Sequence, residues 1–93
     1  MDGSIRMDDL YCLTPSRIVM YTTDVCADCL RAKAFFDANQ VPYLQIFIEG
    51  NEEATRFISE VNHGSHLVPT IVFPDGAVLV EPSWDELRRK IEQ

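Results

Sequence analysis

Apolar residues in the first half of the chain follow two patterns, continuous runs and helical spacing. The segment "SRIVMYTT" places four apolar residues of β-forming types in a row at positions 18–21, which predicts a strand buried on both faces. The next apolar positions recur at helical spacing, at Leu30, Ala34, Phe35 and Ala38. They predict an amphipathic helix that ends near Asn39, before Pro42. A second strand is predicted in "YLQIFI", residues 43–48.

The middle of the chain adds a helix and a hairpin. "NEEATRFISEVN" predicts a helix with Asn51 as N-cap, acidic residues in its positive first turn and a core stripe. That stripe consists of Phe57, Ile58 and Val61. The apolar runs "PTIVF" and "AVLV" flank a Pro-Asp-Gly sequence at residues 74–76, which is typical of a β-hairpin turn.

A third helix closes the chain in "SWDELRRKIEQ". Ser83 and Glu86 have the spacing of a capping box, and the predicted apolar face is formed by Trp84, Leu87 and Ile91. Most of the aromatic residues on the apolar stripes are assigned to the core rather than to a ligand surface. These are Phe35, Phe36, Tyr43, Phe57 and Trp84.

The element order β-α-β-α-β-β-α predicts an α/β domain with a small mixed sheet. Strand, helix and strand form a parallel pair with a right-handed crossover, and the later hairpin adds antiparallel strands. Residues 1–16 show neither period, so they are interpreted as an extension that lies on the domain or is partly mobile. Residues 17–93 form the domain.

Length and charge exclude several classes of function. The chain has 93 residues and a formal net charge of −7, which fits one domain and argues against unassisted binding to nucleic acid or to anionic membranes. The segment "MDGSIRMDDLYCL" lacks the basic start and the apolar core of a signal peptide. We therefore expect a cytoplasmic, monomeric protein. Its three cysteines do not suit a fully paired disulfide framework.

Two of the cysteines, Cys26 and Cys29, form a Cys-x-x-Cys motif between the first strand and the first helix. Cys26 is predicted in the first helical turn, where free backbone N–H groups favour a thiolate. Cys29 is predicted one turn later on the same side and more deeply covered, close enough to resolve a mixed disulfide at Cys26. Asp28 opposes a negative sulfur, and Arg31 and Lys33 are expected to offset it.

Two other interpretations of the cysteine pair stay open. "HGSH" supplies His63 and His66, which together with the cysteines would give a zinc set, but the gap between the two halves is longer than compact zinc modules use. For His63, a polar loop position after a helix is the favoured interpretation. A structural disulfide is disfavoured in a reducing compartment.

Pro69 stands immediately before a predicted strand in "SHLVPTIVF". It imposes an extended conformation on Val68 and removes a donor at the strand start. Alone, it indicates only a strand start. Together with the Cys-x-x-Cys motif, it makes the chain resemble the glutaredoxin branch of the thioredoxin superfamily, most closely the mycoredoxin-like members. The segments that carry this resemblance are "MYTTDVCADCLRAK", "EVNHG", "VPTIVFPDG" and "PSWDELRRKI".

The resemblance covers residues 17–92 and implies a thioredoxin-like fold with a four-stranded sheet and three helices. It implies Cys26 as nucleophile, Cys29 as resolving thiol, and Pro69 as a cis-proline that faces them. The backbone of Val68 would pair with the peptide-like part of a bound thiol.

Three further residues are candidates for the substrate groove. His66 stands where relatives meet a ligand carboxylate, and we hypothesise that the protonated side chain does so here. Tyr21 and Thr23, just before the cysteines, are further candidates for lining the groove. The Ala27-Asp28 spacer departs from the family pattern, and so does Leu67. Cys12 lies outside the motif and is interpreted as a surface or packed thiol.

The predicted function is a thiol-disulfide oxidoreductase that reduces mixed disulfides between proteins and a low-molecular-weight thiol. The co-substrate thiol would be mycothiol or glutathione, with no bound cofactor and no metal. The partners would be S-thiolated or disulfide-bonded proteins and a disulfide reductase. Two alternatives stay open: a reductase-coupled redoxin that supplies a ribonucleotide reductase, and a non-catalytic zinc or iron-sulfur binding protein.

Overall fold

The computed structural model describes residues 9–24 and 26–92 of the chain. Seven elements follow in the predicted order: β1 Val19–Thr22, α1 Ala27–Ala38, β2 Leu44–Phe47, α2 Glu52–Val61, β3 Thr70–Val72, β4 Val78–Val80 and α3 Trp84–Ile91. The type and order of every element are therefore confirmed, and the strand ends differ from the predicted ones by one or two residues. No helix in this described part is long and apolar enough to cross a membrane.

The four strands form one mixed sheet in the order β2-β1-β3-β4. β1 runs parallel to β2 and antiparallel to β3, and β3 and β4 form the predicted hairpin. β1 is therefore a central strand. This position explains its continuous apolar run, because a central strand with helices on both sides needs apolar side chains on both faces.

The core has one layer on each face of the sheet, because successive side chains of a strand point to opposite faces. One layer joins β1 to α2 and contains Val19, Tyr21, Ile46, Ala54, Phe57, Ile58 and Val72. The other joins β1 and β3 to α1 and α3 and contains Met20, Ala32, Phe35, Phe36, Ile71, Phe73 and Leu87. Both layers meet at β1, so the strand that leads to Cys26 is held from both sides.

The apolar stripe predicted for α1 is mostly wrong. Of its members only Phe35 is buried, and Leu30 is 62% exposed. The buried side chains of α1 are Cys29, Ala32, Phe35 and Phe36. The helix is rotated so that Cys29, rather than Leu30, faces the sheet. Small residues such as Ala32 carry little hydrophobic signal in the sequence, although they let the helix approach the strands closely.

The aromatic assignments hold for three of the five residues. Phe35, Phe36 and Phe57 are buried, Tyr43 is half-buried, and Trp84 is 39% exposed. Trp84 lies at the rim, where its ring meets Phe35 edge-on at a centroid distance of 5.5 Å. The predicted apolar face of α3 is thus fully buried only at Leu87.

The predicted helix starts are confirmed. The Asn51 side chain accepts a hydrogen bond from the Ala54 N–H at 3.1 Å. Ser83 Oγ accepts from the Glu86 N–H at 3.1 Å, and Glu86 Oε1 in turn accepts from the Ser83 N–H at 2.8 Å. Each cap satisfies backbone donors that the first helical turn leaves free.

Residues 9–16, which we call the N-terminal strap, lie against the α2 side of the sheet. The Tyr11 ring contacts Tyr21 and Phe57 at centroid distances of 6.4 and 6.3 Å. The N–H of Tyr11 donates to the Tyr21 hydroxyl at 3.0 Å, and Asn51 Nδ2 donates to the Tyr11 hydroxyl at 3.1 Å. The strap adds apolar cover beside α2 on this face of the sheet. The part of the predicted extension in residues 1–8 lies outside the described residues.

The strap is also anchored by a buried carboxylate. Asp9 is 1% exposed, and its oxygens accept hydrogen bonds from the N–H and the hydroxyl of Ser16 at 2.7 and 2.9 Å. Arg17 Nε lies 3.7 Å from the same side chain. This loop brings Tyr11 back over the sheet, just before β1 begins.

Replacing Tyr11 with alanine is expected to lower the free energy of unfolding by about 2 kcal/mol, because the ring contacts and the hydroxyl bond to Asn51 are lost. Tyr11→Phe keeps the ring, so a smaller loss of about 1 kcal/mol is expected. Urea unfolding of both variants measures the difference. Equal stability of wild type and Tyr11→Ala would show that the strap adds nothing to the domain.

Candidate active site

Cys26 is the N-cap residue of α1 and has an extended backbone, with φ −116° and ψ 113°. The sequence predicts Cys26 at the first turn of this helix, and the structure places it at the cap that immediately precedes that turn. Its Sγ accepts a hydrogen bond from the Cys29 N–H at 3.0 Å. The sulfur thus takes the place that an oxygen of Ser, Thr, Asp or Asn usually holds at a helix start. A negative charge is favoured there, because free N–H groups and the helix dipole converge on it.

Cys29 is the more covered of the two cysteines, as predicted. It is 3% exposed, whereas Cys26 is half-buried. Burial raises the pKa of the Cys29 thiol from 9.0 to about 11, and its hydrogen bond with Cys26 adds to the shift against smaller opposing contacts with Thr22 and Thr23. The pair therefore consists of a sulfur accessible at a helix start and a second thiol kept protonated beneath it.

The Val68–Pro69 peptide bond is cis, as the resemblance implied. The Cys26 Sγ lies 3.6 Å from the Val68 carbonyl oxygen, in the geometry of a thiol that donates to it. This contact joins two positions that are 42 residues apart in the chain. The loop before β3 therefore forms the second wall of the site.

Side-chain bonds that the sequence did not reveal hold this loop. Thr70 Oγ1 donates to the Leu67 carbonyl at 2.7 Å, and Asn62 Nδ2 donates to Thr70 Oγ1 at 3.0 Å. The Glu81 N–H donates to the Pro69 carbonyl at 2.9 Å. Glu81 has a φ of +50°, which is unusual for a residue other than glycine. The sequence predicts Asn62 only as a helix end, because its hydrogen-bond partner Thr70 lies eight residues later in the chain.

Asp28 is paired with Arg31 one turn later in α1. This confirms the expectation that Arg31 offsets the carboxylate between the cysteines. Lys33 is not part of that pair and lines a crevice beside Cys29. The Arg31 carbonyl also accepts a hydrogen bond from Trp84 Nε1 at 3.0 Å, so the start of α1 is tied to the start of α3.

The prediction that Tyr21 lines the substrate groove is not supported, because its side chain is fully buried. Side chains alternate along β1, so Tyr21 points into the layer beneath α2 and the strap covers it. Burial raises the pKa of its phenol to about 12. Thr23 is half-buried and lines the crevice beside Cys29. Cys12 is half-buried within the strap.

His66 is exposed and borders a groove of about 440 Å³ along α2. Acidic, basic and hydroxyl side chains line this groove. They include Glu52, Thr55, Arg56, Ser59 and Glu60. His63 is exposed in the turn that follows α2. Within residues 9–24 and 26–92, no three His, Cys, Asp or Glu side chains come together as a set that could hold a metal ion.

The fold and the cysteine site are those of a thiol-disulfide oxidoreductase. A cysteine at a helix start, a second thiol one turn later and a cis-proline loop against the first sulfur give what disulfide exchange requires. The family model for glutaredoxin matches residues 18–78.

Several known proteins are similar to this chain. A Mycobacterium tuberculosis protein that carries a glutaredoxin name is 42% identical over 74 residues, which is 80% of this chain and 88% of that protein. Mycoredoxin 1 of Corynebacterium glutamicum is 32% identical over 77 residues, or 83% of this chain and 95% of that protein.

Solved structures share the fold. A glutaredoxin of Archaeoglobus fulgidus matches with a TM-score of 0.72 at 23% identity and covers 99% of this chain and 100% of its own. The thioredoxin-like protein BC3987 matches with a TM-score of 0.65 at 27% identity and covers 78% of this chain and 97% of its own. The chain belongs to the glutaredoxin family. That family acts on thiolated proteins together with a small thiol.

Proposed function

We propose that the protein reduces mixed disulfides between proteins and a low-molecular-weight thiol, with Cys26 as the nucleophile. The observation that carries this proposal is the position of Cys26 Sγ, which accepts the Cys29 N–H at 3.0 Å and lies beside the Val68 carbonyl. A backbone donor aimed at the sulfur stabilises the thiolate, both before attack and when it is expelled.

The cycle uses two exchanges. The Cys26 thiolate attacks the small-thiol sulfur of the mixed disulfide, a new sulfur–sulfur bond forms, and the protein sulfur leaves and takes up a proton. The thiolate of a second small-thiol molecule then attacks the small-thiol sulfur bound to Cys26. This step releases the disulfide of the small thiol and regenerates the Cys26 thiolate. For each protein thiol that is freed, one free molecule of the small thiol is consumed and one disulfide of the small thiol is released.

Val68 and Pro69 would hold the small thiol during these steps. The backbone of Val68 is the natural partner for a peptide-like amide, because it lies outside the sheet ladder and next to Cys26. Bonds from Thr70 and Glu81 fix this loop on both sides of Pro69. Thr23, beside the cysteines, would touch the substrate from the opposite wall.

We propose mycothiol as the co-substrate, with glutathione as the alternative. A relative of 32% identity is mycoredoxin 1 of Corynebacterium glutamicum, and its name points to mycothiol. The groove beside His66 also favours mycothiol, because both acidic side chains, Glu52 and Glu60, and the basic side chain of Arg56 line it. A wall of mixed charge can bind the hydroxyl groups of a glycosidic thiol and offers little net attraction to the carboxylates of glutathione.

Cys29 would serve a second route. When Cys26 carries a protein sulfur, the Cys29 thiolate can attack Cys26, release the protein thiol and leave an internal disulfide. A small thiol or a disulfide reductase must then reduce this bond. Both routes need a reducing pool, so we assign the reaction to the cytoplasm.

The deciding experiment measures steady-state release of mycothiol and, in parallel, of glutathione from an S-thiolated test protein. Wild type and Cys29→Ser are compared. Turnover that survives in Cys29→Ser supports the cycle that uses only Cys26, and the faster thiol is the co-substrate. Absence of turnover with either thiol would exclude this reaction and favour the reductase-coupled redoxin.

A His66→Ala change is expected to raise the KM for glutathione about threefold, because alanine cannot contact a ligand carboxylate as the exposed imidazole can. The KM for mycothiol should not change in this way. His63→Ala, the neighbouring exposed histidine, is the matched control. An unchanged KM for glutathione would remove His66 from the site.

A further inference from the structure

β2 is an outer strand of the sheet, and no strand among residues 9–24 and 26–92 pairs with its outer backbone edge. The N–H groups of Leu44 and Ile48 donate to β1, to the carbonyls of Ile18 and Thr22, at 2.8 and 2.9 Å. Backbone groups of a strand alternate in direction, so Gln45 and Phe47 point their N–H and C=O groups away from β1. Two successive outward positions can accept one additional strand.

Two common protections of an outer strand, charged residues and proline, are missing within the four residues of β2. Its sequence, Leu-Gln-Ile-Phe, contains no charged residue and no proline, which proteins commonly place on such edges. Phe47 is 45% exposed, and Leu30 of α1 is 62% exposed. Both side chains border the same crevice, so the apolar surface and the free edge are adjacent.

The crevice between α1 and β2 has a volume of about 130 Å³. It is lined by Thr22, Cys29, Leu30, Lys33 and Phe47, among others. Its volume is roughly four times that of a water molecule, which suits one aliphatic side chain. Cys26 is not among the lining residues, so this opening reaches the pair from the Cys29 side.

Three carboxylates surround the edge. Asp37 lies near Tyr43, just before β2, where its charge adds to burial in raising the pKa of the Tyr43 phenol. At the other end, Glu49 Oε1 accepts a hydrogen bond from the Asp24 N–H at 3.0 Å. None of these three acids forms an ion pair with another residue in the described ranges. Lys33 is the one cation among the crevice residues.

We propose that an extended segment of a partner protein, apolar at its centre and basic on both sides, pairs with β2 as a fifth strand. Main-chain bonds to Gln45 and Phe47 would supply affinity, and an apolar side chain in the crevice would supply selectivity. The basic flanks would meet Asp37 at one end and Asp24 with Glu49 at the other. The crevice opens on the Cys29 side of the cysteine pair, and strand addition at β2 goes beyond the proposed function.

The test uses the blocked peptide acetyl-Lys-Lys-Val-Leu-Val-Lys-Lys-amide and amide hydrogen exchange followed by NMR. At saturation, exchange at Gln45 and Phe47 should slow at least about tenfold, because their N–H groups become bonded. Exchange at Leu44 and Ile48 should not change, since both already donate to β1. Raising the salt from about 0.05 to 0.5 M should weaken binding several-fold.

Matched variants and a matched peptide complete the test. The double change Leu30→Lys and Phe47→Lys should weaken binding at least about tenfold, whereas Leu13→Lys, at another exposed leucine, should leave it unchanged. The double variant should keep wild-type turnover of an S-thiolated protein, which separates this proposal from the proposed function.

Three outcomes would overturn the proposal. Equal binding of the peptide with glutamate in place of lysine would remove the charge argument. Protection that appears elsewhere, and not at Gln45 and Phe47, would place the peptide on another surface. A dimer of the free protein in sedimentation, with these two amides already protected, would assign the edge to a second copy.

Discussion

Replacing Cys26 with serine is expected to lower turnover of an S-thiolated protein by at least about 1000-fold, because a serine hydroxyl is not a useful nucleophile toward sulfur at neutral pH. The fold should survive the change. Serine is a favourable N-cap residue, so its Oγ can accept the Cys29 N–H that Cys26 Sγ accepts now. The loss would then report chemistry and not unfolding.

The matched control is Cys12→Ser, which changes the half-buried cysteine of the strap and should keep activity within about twofold of wild type. Urea unfolding of both variants should show transitions close to that of wild type. Substantial turnover by Cys26→Ser, or a similar loss in Cys12→Ser, would contradict the assignment of Cys26 as the nucleophile.

The second large effect concerns pH and the resolving step. Because burial raises the pKa of Cys29 to about 11, only about one thiol in 10,000 is ionised near pH 7. The thiolate fraction rises about tenfold per pH unit below the pKa. Release of a small thiol from a preformed Cys26 mixed disulfide should therefore accelerate by about tenfold per unit between about pH 7 and 9. Burial is the larger cause of the raised pKa of Cys29, and Cys29 stays buried when Cys26 carries the small thiol.

Stopped-flow detection of the released thiol in a Cys12→Ser background measures this profile. The same intermediate made with Cys29→Ser should release nothing, which identifies Cys29 as the attacking group. A rate independent of pH would show that Cys29 does not limit the step. At neutral pH, slow resolution leaves time for a second small-thiol molecule to attack, so the proposed cycle through Cys26 alone would dominate.

The element order, the helix caps and the hairpin were predictable because each depends on neighbouring residues. Asn51 and Ser83 cap helices through bonds to backbone groups three residues on. The Cys-x-x-Cys motif is equally local, and the division between an accessible Cys26 and a covered Cys29 follows from helix geometry. The cis bond before Pro69 was expected only from resemblance, because the bond before a proline is trans in most contexts.

Errors in prediction arose where burial depends on distant parts of the chain. Leu30 was expected in the core and Tyr21 in the groove, and the structure places each in the opposite environment. The rotation of α1 is set by what the sheet and α3 offer, and the strap removes Tyr21 from solvent. Neither influence is visible in the local pattern of apolar residues.

Local sequence patterns specify the seven elements, the caps of α2 and α3 and the two cysteines at a helix start, because these features depend on periodicity and on short-range hydrogen bonds. The tertiary structure places Cys26 Sγ 3.6 Å from the Val68 carbonyl, covers Tyr21 with the strap, and leaves the outer edge of β2 without a partner strand in the part of the chain that is described. These features depend on the packing of distant segments against one sheet, and packing is settled by the shape and volume of all the partners together.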